Sequence, residues 1–192
     1  MYNICSKYYC TPSGKKLLFH AVVMPYLLYG IEAWYTASHM LRETLEILFR
    51  HCMRVVLNDI GFLPMIANLG VYGEMESIPL HLQFQLNSGK ILFKILKLHL
   101  IKGLESLFEL NSNNRYNTRT NADSINLTIP FTHHERTRIA IGWWGCSLWN
   151  TIPQRIREST SLRQFEQQYL YFLQSKLFSQ YELKRVHFYD FV

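Results

Sequence analysis

Apolar and charged positions follow a helical period through the first 110 residues. In residues 38–57 apolar side chains recur every three or four positions, and charged side chains occupy the other faces. This spacing predicts one amphipathic helix that begins after Ser38, a suitable N-cap, and ends at Asn58-Asp59. Its apolar positions are Leu41, Leu45, Leu48, Phe49, Cys52 and Val56.

A second helical pattern begins near Pro79 and carries three lysines at helical spacing along one side. Its apolar seam consists of Leu82, Leu86, Gly89, Phe93, Leu96 and Leu100. Lys90, Lys94 and Lys97 share another side of the same helix. Two interpretations stay open. The lysines form the solvated face that any helix packed on one side needs, or they lie along a phosphate backbone.

The longest charge-free apolar stretch, residues 17–31, contains Pro25 and Gly30. It is fifteen residues long, whereas a membrane span needs about 20. It therefore predicts a buried helix that is bent or ended at Pro25, and no membrane partner. A membrane-associated helical protein built on residues 17–34 is an alternative hypothesis.

The pattern changes from residue 111, where a polar stretch begins. Alternating apolar positions predict a short β-hairpin, with strands at 127–131 and 139–141 around the turn 132–137. A capping box at Ser161 and Gln164 predicts the start of a final helix that ends near Ser175. The apolar face of that helix comprises Leu162, Phe165, Tyr169, Phe172 and Leu173. Residues 176–192 have no clear period and stay unassigned.

Positive charge is concentrated in residues 111–163, which hold seven basic and three acidic side chains. All seven are arginines, whose planar guanidinium suits phosphate, and Tyr116, Trp143, Trp144 and Trp149 lie among them. This mixture is typical of single-stranded nucleic-acid binding. The alternative is that the tryptophans fill a core, with Trp149 at least buried, while Arg155 and Arg157 stay partly exposed. The arginines are Arg115, Arg119, Arg136, Arg138, Arg155, Arg157 and Arg163.

Residue types needed for common catalytic sites are missing or scattered. The only three aspartates, Asp59, Asp123 and Asp190, are far apart, and no phosphate-binding loop or nucleophile elbow occurs. The four cysteines are too irregularly spaced for a disulfide scaffold or a zinc site, which indicates an intracellular chain with reduced thiols. We expect no catalytic residue, no metal and no cofactor.

Three segments, in this order, resemble one family: the region C-terminal to the polymerase palm in reverse transcriptases of non-long-terminal-repeat retrotransposons of the jockey and CR1-like type. The first, residues 25–34, is similar to Pro-x-x-x-Tyr-Gly-x-x-x-Trp. The second is Tyr116-Asn117-Thr118-Arg119. The third, residues 145–157, is similar to Gly-Pro-x-Leu-Trp-Asn-x-Leu-Pro-x-x-Ile-Arg, with departures at Cys146 and Ile152.

The resemblance covers residues 15 to about 175 and implies the thumb and tail without the palm. The aromatic-x-Asp-Asp motif of the family's active site has no counterpart here, so the resemblance implies a fragment or remnant with no polymerase activity of its own. The palm would be missing upstream or supplied in trans.

The resulting prediction is a mainly α-helical protein. Residues 15–110 would form a thumb-like helical bundle, and residues 111–175 a small α+β tail module. The implied partner is RNA or an RNA/DNA primer-template, bound by Lys90, Lys94, Lys97, Arg115, Tyr116, Arg119, Arg155 and Arg157. The alternative is a structural or protein-interaction remnant with no nucleic-acid role.

Overall fold

The fold is mainly α-helical, as predicted. A computed structural model describes residues 11–34, 39–57, 67–110, 126–133 and 140–189. Within these ranges the helices are α1 (Pro12–Leu18), α2 (Met24–Leu28), α3 (Ile31–Trp34), α4 (His39–Leu57), α5 (Ala67–Glu74), α6 (Leu80–Leu96), α7 (Ile141–Thr151), α8 (Gln154–Arg157) and α9 (Leu162–Tyr189). The chain divides into two compact units, Met1–Phe84 with Phe178–Val192, and Gln85–Leu177. The predicted boundary near residue 111 lies outside the described residues.

The apolar stretch 17–31 is helical and passes through Pro25 by way of a widened turn. The prediction that this helix is buried is wrong, because Leu17, Val22, Tyr26 and Tyr29 are exposed. A π-helical segment, Phe19–Val23, joins α1 to α2, and Met24 N–H donates to the carbonyl of Phe19. Pro25 has no N–H to donate, and in a regular α-helix its ring would clash with the carbonyl four residues earlier. The wider turn immediately before it avoids this clash, so the helical path continues through Leu28.

Three aromatic rings, those of Phe19, Phe49 and Tyr72, lie at the centre of the first unit's core. The Phe49 ring of α4 lies 5.7 Å from that of Phe19 and 6.4 Å from that of Tyr72, centroid to centroid. Glu46, one turn before Phe49, accepts the Tyr72 hydroxyl at 2.7 Å and the Leu80 backbone N–H at 2.9 Å. The carboxylate therefore caps the N-terminus of α6, where a negative charge is favourable. The other buried members of this core are Met53, Val56, Val71, Met75 and Leu80.

In the second unit, the C-terminal part of α6 packs antiparallel to α9. Phe93 stacks on Phe165 with ring centroids 4.6 Å apart. One turn earlier on α6, Gly89 faces Tyr169, which is one turn later on α9. A Cβ on Gly89 would lie 2.7 Å from Cε1 of Tyr169, so only glycine permits this approach. Of the apolar seam predicted for α6, Leu82, Leu86, Gly89 and Phe93 are buried, Leu96 is half-buried and Leu100 is exposed.

Helix α7 contributes Trp149, which is buried as predicted. The side-chain amide of the next residue, Asn150, forms hydrogen bonds with both the backbone N–H and the backbone carbonyl of Leu127. Its Nδ2 donates to the Leu127 carbonyl at 2.9 Å, and its Oδ1 accepts the Leu127 N–H at 2.8 Å. This pair anchors residues 126–127 to the end of α7.

The predicted β-hairpin is not supported, and no sheet is present in the ranges that the structure describes. Leu127 forms only an isolated bridge, to Leu110, and Ile141 begins α7 rather than a second strand. Ile129 and Phe131 are exposed, so their alternation with polar residues does not mark the buried face of a strand.

The predicted N-cap Ser161 opens α9, but the second bond of the predicted capping box goes to the N–H of Thr160 instead of that of Ser161. Ser161 Oγ accepts the Gln164 N–H at 3.2 Å, and Gln164 Oε1 accepts the Thr160 N–H at 3.1 Å. The predicted end near Ser175 is wrong, because α9 continues to Tyr189. No glycine or proline occurs between residues 162 and 189, so nothing in the local sequence breaks the helix.

Candidate nucleic-acid interface

The three lysines predicted to share one side of α6 differ in their surroundings. Lys90 Nζ lies 2.8 Å from Oε1 of Glu166 on α9, in a partly buried ion pair. Lys94 and Lys97 are half-buried, and neither forms an ion pair in the part of the chain that the structure describes. Of the three ammonium groups, those of Lys94 and Lys97 are therefore the ones available to a phosphate.

Arg155 and Arg157, two residues apart on α8, have opposite environments. Arg155 is exposed, as predicted. Arg157 is only 5% exposed, which makes the prediction of partial exposure wrong. Its Nη1 donates to Oδ1 of Asn126 at 3.0 Å, and burial lowers its pKa from the ordinary arginine value. Arg157 thus holds residue 126 against α8.

Arg155 lies in a groove between α8 and α9 of about 510 Å³. Tyr171, which is 75% exposed, lines the same groove, together with Gln167 and Gln168. The groove therefore presents a guanidinium, an accessible aromatic ring and two amides. Its apolar lining is contributed by Pro153, Ile156 and Phe172.

Tyr171 is a site residue that the sequence analysis missed. It lies two positions after Tyr169 and therefore on a different side of α9 from the buried face. An aromatic residue outside the apolar stripe of an amphipathic helix was the available signal.

Several predicted site residues cannot be placed. Arg115, Tyr116 and Arg119 lie outside the described residues, as do Arg136 and Arg138. Trp143 and Trp144 are half-buried on α7.

The described thiols are poorly suited to nucleophilic chemistry. The buried Cys146 Sγ lies 2.9 Å from the Gly142 carbonyl, to which the thiol donates, and burial raises the pKa of Cys146. Burial also raises the pKa of Cys52. Both thiols therefore stay protonated at neutral pH, the less reactive form. Among the residues with described positions, no group of three His, Cys, Asp or Glu side chains could hold a metal ion.

No protein-family model, curated protein or solved structure matches this chain. Of the helices described, none combines the length and apolar character needed to cross a membrane.

Proposed function

We propose that this chain is a non-catalytic, nucleic-acid-binding piece of a non-long-terminal-repeat retrotransposon reverse transcriptase, corresponding to its thumb and tail. Its role is to hold RNA or an RNA/DNA primer-template for a polymerase palm located elsewhere. The observation that carries the proposal is that exposed Arg155 and exposed Tyr171 line one groove.

The groove suits a single strand for two physical reasons. A guanidinium pairs with phosphate oxygens through a planar fork of donors. An exposed aromatic ring lets a base stack, which contributes about 1–3 kcal/mol per base and tolerates any sequence. Lys94 and Lys97 add two ammonium groups within the same compact unit. The polymerase context rests on the resemblance of residues 25–34, 116–119 and 145–157.

A second candidate function is a structural or protein-interaction remnant. It is favoured by large apolar side chains that stay exposed in the first unit, among them Leu17, Val22, Tyr26, Tyr29, Met40 and Ile47. Apolar surface of this kind promotes self-association or docking to another protein.

Fluorescence anisotropy with a labelled single-stranded RNA, over a series of salt concentrations, tests the proposal. We expect Tyr171→Ala to weaken binding by about fivefold to a hundredfold, and Tyr171→Phe, which retains the ring, to bind like the wild type. Arg155→Gln should lower the slope of log affinity against log salt by about 0.7, the value for one phosphate contact on a single strand. Arg50→Gln, which removes the same charge from α4, controls for net charge and should leave the slope nearly unchanged.

Two results would overturn the proposal. One is the absence of RNA binding by the wild type at low salt, together with concentration-dependent self-association, which favours the remnant. The other is equal weakening of RNA binding by Arg155→Gln and Arg50→Gln, which would show that binding depends on the net charge alone and not on the groove. The purified chain should also incorporate no nucleotide on a primed template, because the Asp pair of the family's active site is absent.

A further inference from the structure

Helix α4 carries apolar side chains on two opposite faces. Phe49, Met53 and Val56 are buried in the core of the first unit. On the opposite face, Met40 is 76% exposed and Ile47 is 60% exposed. Helices that are apolar on all sides are normally buried on all sides, and contiguous exposed apolar surface marks an interaction site. The second face of α4 is therefore suited to contact another molecule.

This second face has the residue spacing of a coiled-coil seam. Its members are exposed side chains that follow one another at alternating steps of four and three residues: Met40, Thr44, Ile47 and His51. We call these four residues the outer seam. Leu41 and Leu48, one heptad apart, lie along one edge of the outer seam, and both are exposed. Glu43 and Arg50, also one heptad apart, lie along the other edge.

Both edges are complementary to themselves under a two-fold rotation. When two identical helices pack antiparallel about a two-fold axis, each edge faces the same edge of the other copy, with its sequence reversed. Glu43 of each copy then faces Arg50 of the other, which gives two ion pairs. Leu41 and Leu48 meet in the same way along the apolar edge. In a parallel pair the unlike edges would meet, so the charged side chains would face leucines.

The two charged groups are available for this pairing. His39 Nε2 lies 3.7 Å from Glu43 Oε1, a contact that is an ion pair only when the histidine is protonated, and the Glu43 side chain stays 66% exposed. Arg50 forms no ion pair with any residue that the structure describes. A helix that lies on a lipid surface has a polar face rich in cations, whereas this edge carries one charge of each sign. The charge pattern therefore favours a protein partner.

We propose that the outer seam of α4 is the interface of an antiparallel two-fold dimer, so that its partner is a second copy of this chain. Met40 and Ile47 supply the apolar contact, and the pairing of Glu43 with Arg50 sets the antiparallel direction. This inference does not depend on RNA binding. The Arg155 groove belongs to the other compact unit, so each copy in the dimer keeps its own groove.

Reversal of the two charges tests the pairing, with the dimer dissociation constant of the full chain measured by sedimentation equilibrium. Glu43→Arg places two cations on the charged edge, and Arg50→Glu places two carboxylates there. We expect each variant alone to raise the dissociation constant by about tenfold or more, because like charges face each other. The double variant restores opposite charges and should dimerise like the wild type. A mixture of the two single variants should associate more tightly than either one alone.

Ile47→Asp tests the apolar contact. Ile47 is exposed in a single copy, so circular dichroism should show an intact fold. The dimer contains this residue twice, and we expect the dissociation constant to rise by at least about tenfold. Leu100→Asp, which changes a side chain of similar exposure in the other compact unit, should leave dimerisation unchanged.

Four results would overturn the inference. The first is a wild type that stays monomeric up to its highest soluble concentration. The second is equal loss of association in Ile47→Asp and Leu100→Asp, which would indicate unspecific apolar contact. The third is a folded double charge variant that does not recover dimerisation. The fourth is binding of a monomeric wild type to anionic lipid vesicles that Ile47→Asp abolishes, which would assign the outer seam to a membrane surface.

The same variants separate this inference from the proposed function. Glu43→Arg with Arg50→Glu and Ile47→Asp should bind a short single-stranded RNA like the wild type in the anisotropy assay. Loss of the dimer therefore leaves the Arg155 groove untouched, and loss of RNA binding by the wild type leaves the dimer untouched.

Discussion

Lys90 and Glu166 form an ion pair with Nζ and Oε1 2.8 Å apart, which joins the middle of α6 to the first turns of α9. The side chains are 27% and 42% exposed, so the pair is only partly screened by water. Sequence spacing placed Lys90 in one group with Lys94 and Lys97. The pair separates it from them, because its charge is already neutralised within the fold.

Lys90→Gln should therefore affect stability more than RNA binding. We expect the Lys90–Glu166 coupling, from a double-mutant cycle of Lys90→Gln and Glu166→Gln by chemical denaturation, to be about 0.5–1 kcal/mol. In the salt series, Lys94→Gln with Lys97→Gln should lower the slope by about 1.4, and Lys90→Gln should barely change it. An equal drop in slope for Lys90→Gln would show that the pair opens to bind phosphate.

Helical periodicity predicted the cores because it reports which side of an element is buried. The face containing Phe165 and Tyr169 on α9 was predicted correctly for this reason. On α4 the prediction holds at Phe49 and Val56 and fails at Leu41 and Leu48, which are exposed. Contacts between distant residues leave no such signal. Arg157 meets Asn126 across 31 positions of the chain, so its burial could not be predicted from a motif rich in arginine.

Short sequence patterns of only a few residues predicted the local structure least well. Three alternating apolar residues at 127–131 predicted a strand, but Phe131 is 85% exposed and only Leu127 is buried. The position of Leu127 is set by the side-chain amide of Asn150, a contact that alternation cannot encode. The groove at Arg155 depends likewise on the packing of α8 beside α9.

Gly89→Ala should destabilise the second unit. Its new Cβ would lie 2.7 and 3.1 Å from two ring carbons of Tyr169, which is held among buried aromatic residues. Overpacking of this kind costs about 1–3 kcal/mol, more than the gain in helix propensity of about 1 kcal/mol. Gly70→Ala in α5 meets no atom of the described residues within 4 Å, so the same change there should stabilise. Thermal unfolding of both variants measures this, and equal effects would argue against the close α6–α9 approach.

Asn150→Ala should lower the free energy of unfolding by about 2–3 kcal/mol, because the backbone N–H and the carbonyl of Leu127 both lose their side-chain partner. Asn150→Asp should be at least as damaging, since a carboxylate cannot donate to the Leu127 carbonyl. Thr151→Ala, at the adjacent exposed position, should change stability by no more than about 0.5 kcal/mol. Urea denaturation measures all three, and a neutral Asn150→Ala would mean that residues 126–127 are held by other contacts.

Stability should fall at alkaline pH through Tyr169, whose pKa is raised by burial. Below the ordinary tyrosine pKa of about 10 the ring is neutral in both states, so its contribution does not vary with pH. Above about pH 10 the unfolded chain loses the phenolic proton while the folded protein keeps it, and the free energy of unfolding decreases.

Tyr169→Phe removes this titration and should flatten the decline between about pH 10 and 11, whereas Tyr171→Phe at the exposed position should retain it. The raised pKa values of the Cys52 and Cys146 thiols produce a decline that begins earlier, near pH 9, so both variants are compared in a background with Cys52→Ala and Cys146→Ala. Urea titrations at each pH give the free energy of unfolding of the two variants, and their pH dependences are compared. If the free energy of unfolding of Tyr169→Phe falls with pH as steeply as that of Tyr171→Phe, ionisation of the Tyr169 phenol does not destabilise the folded protein.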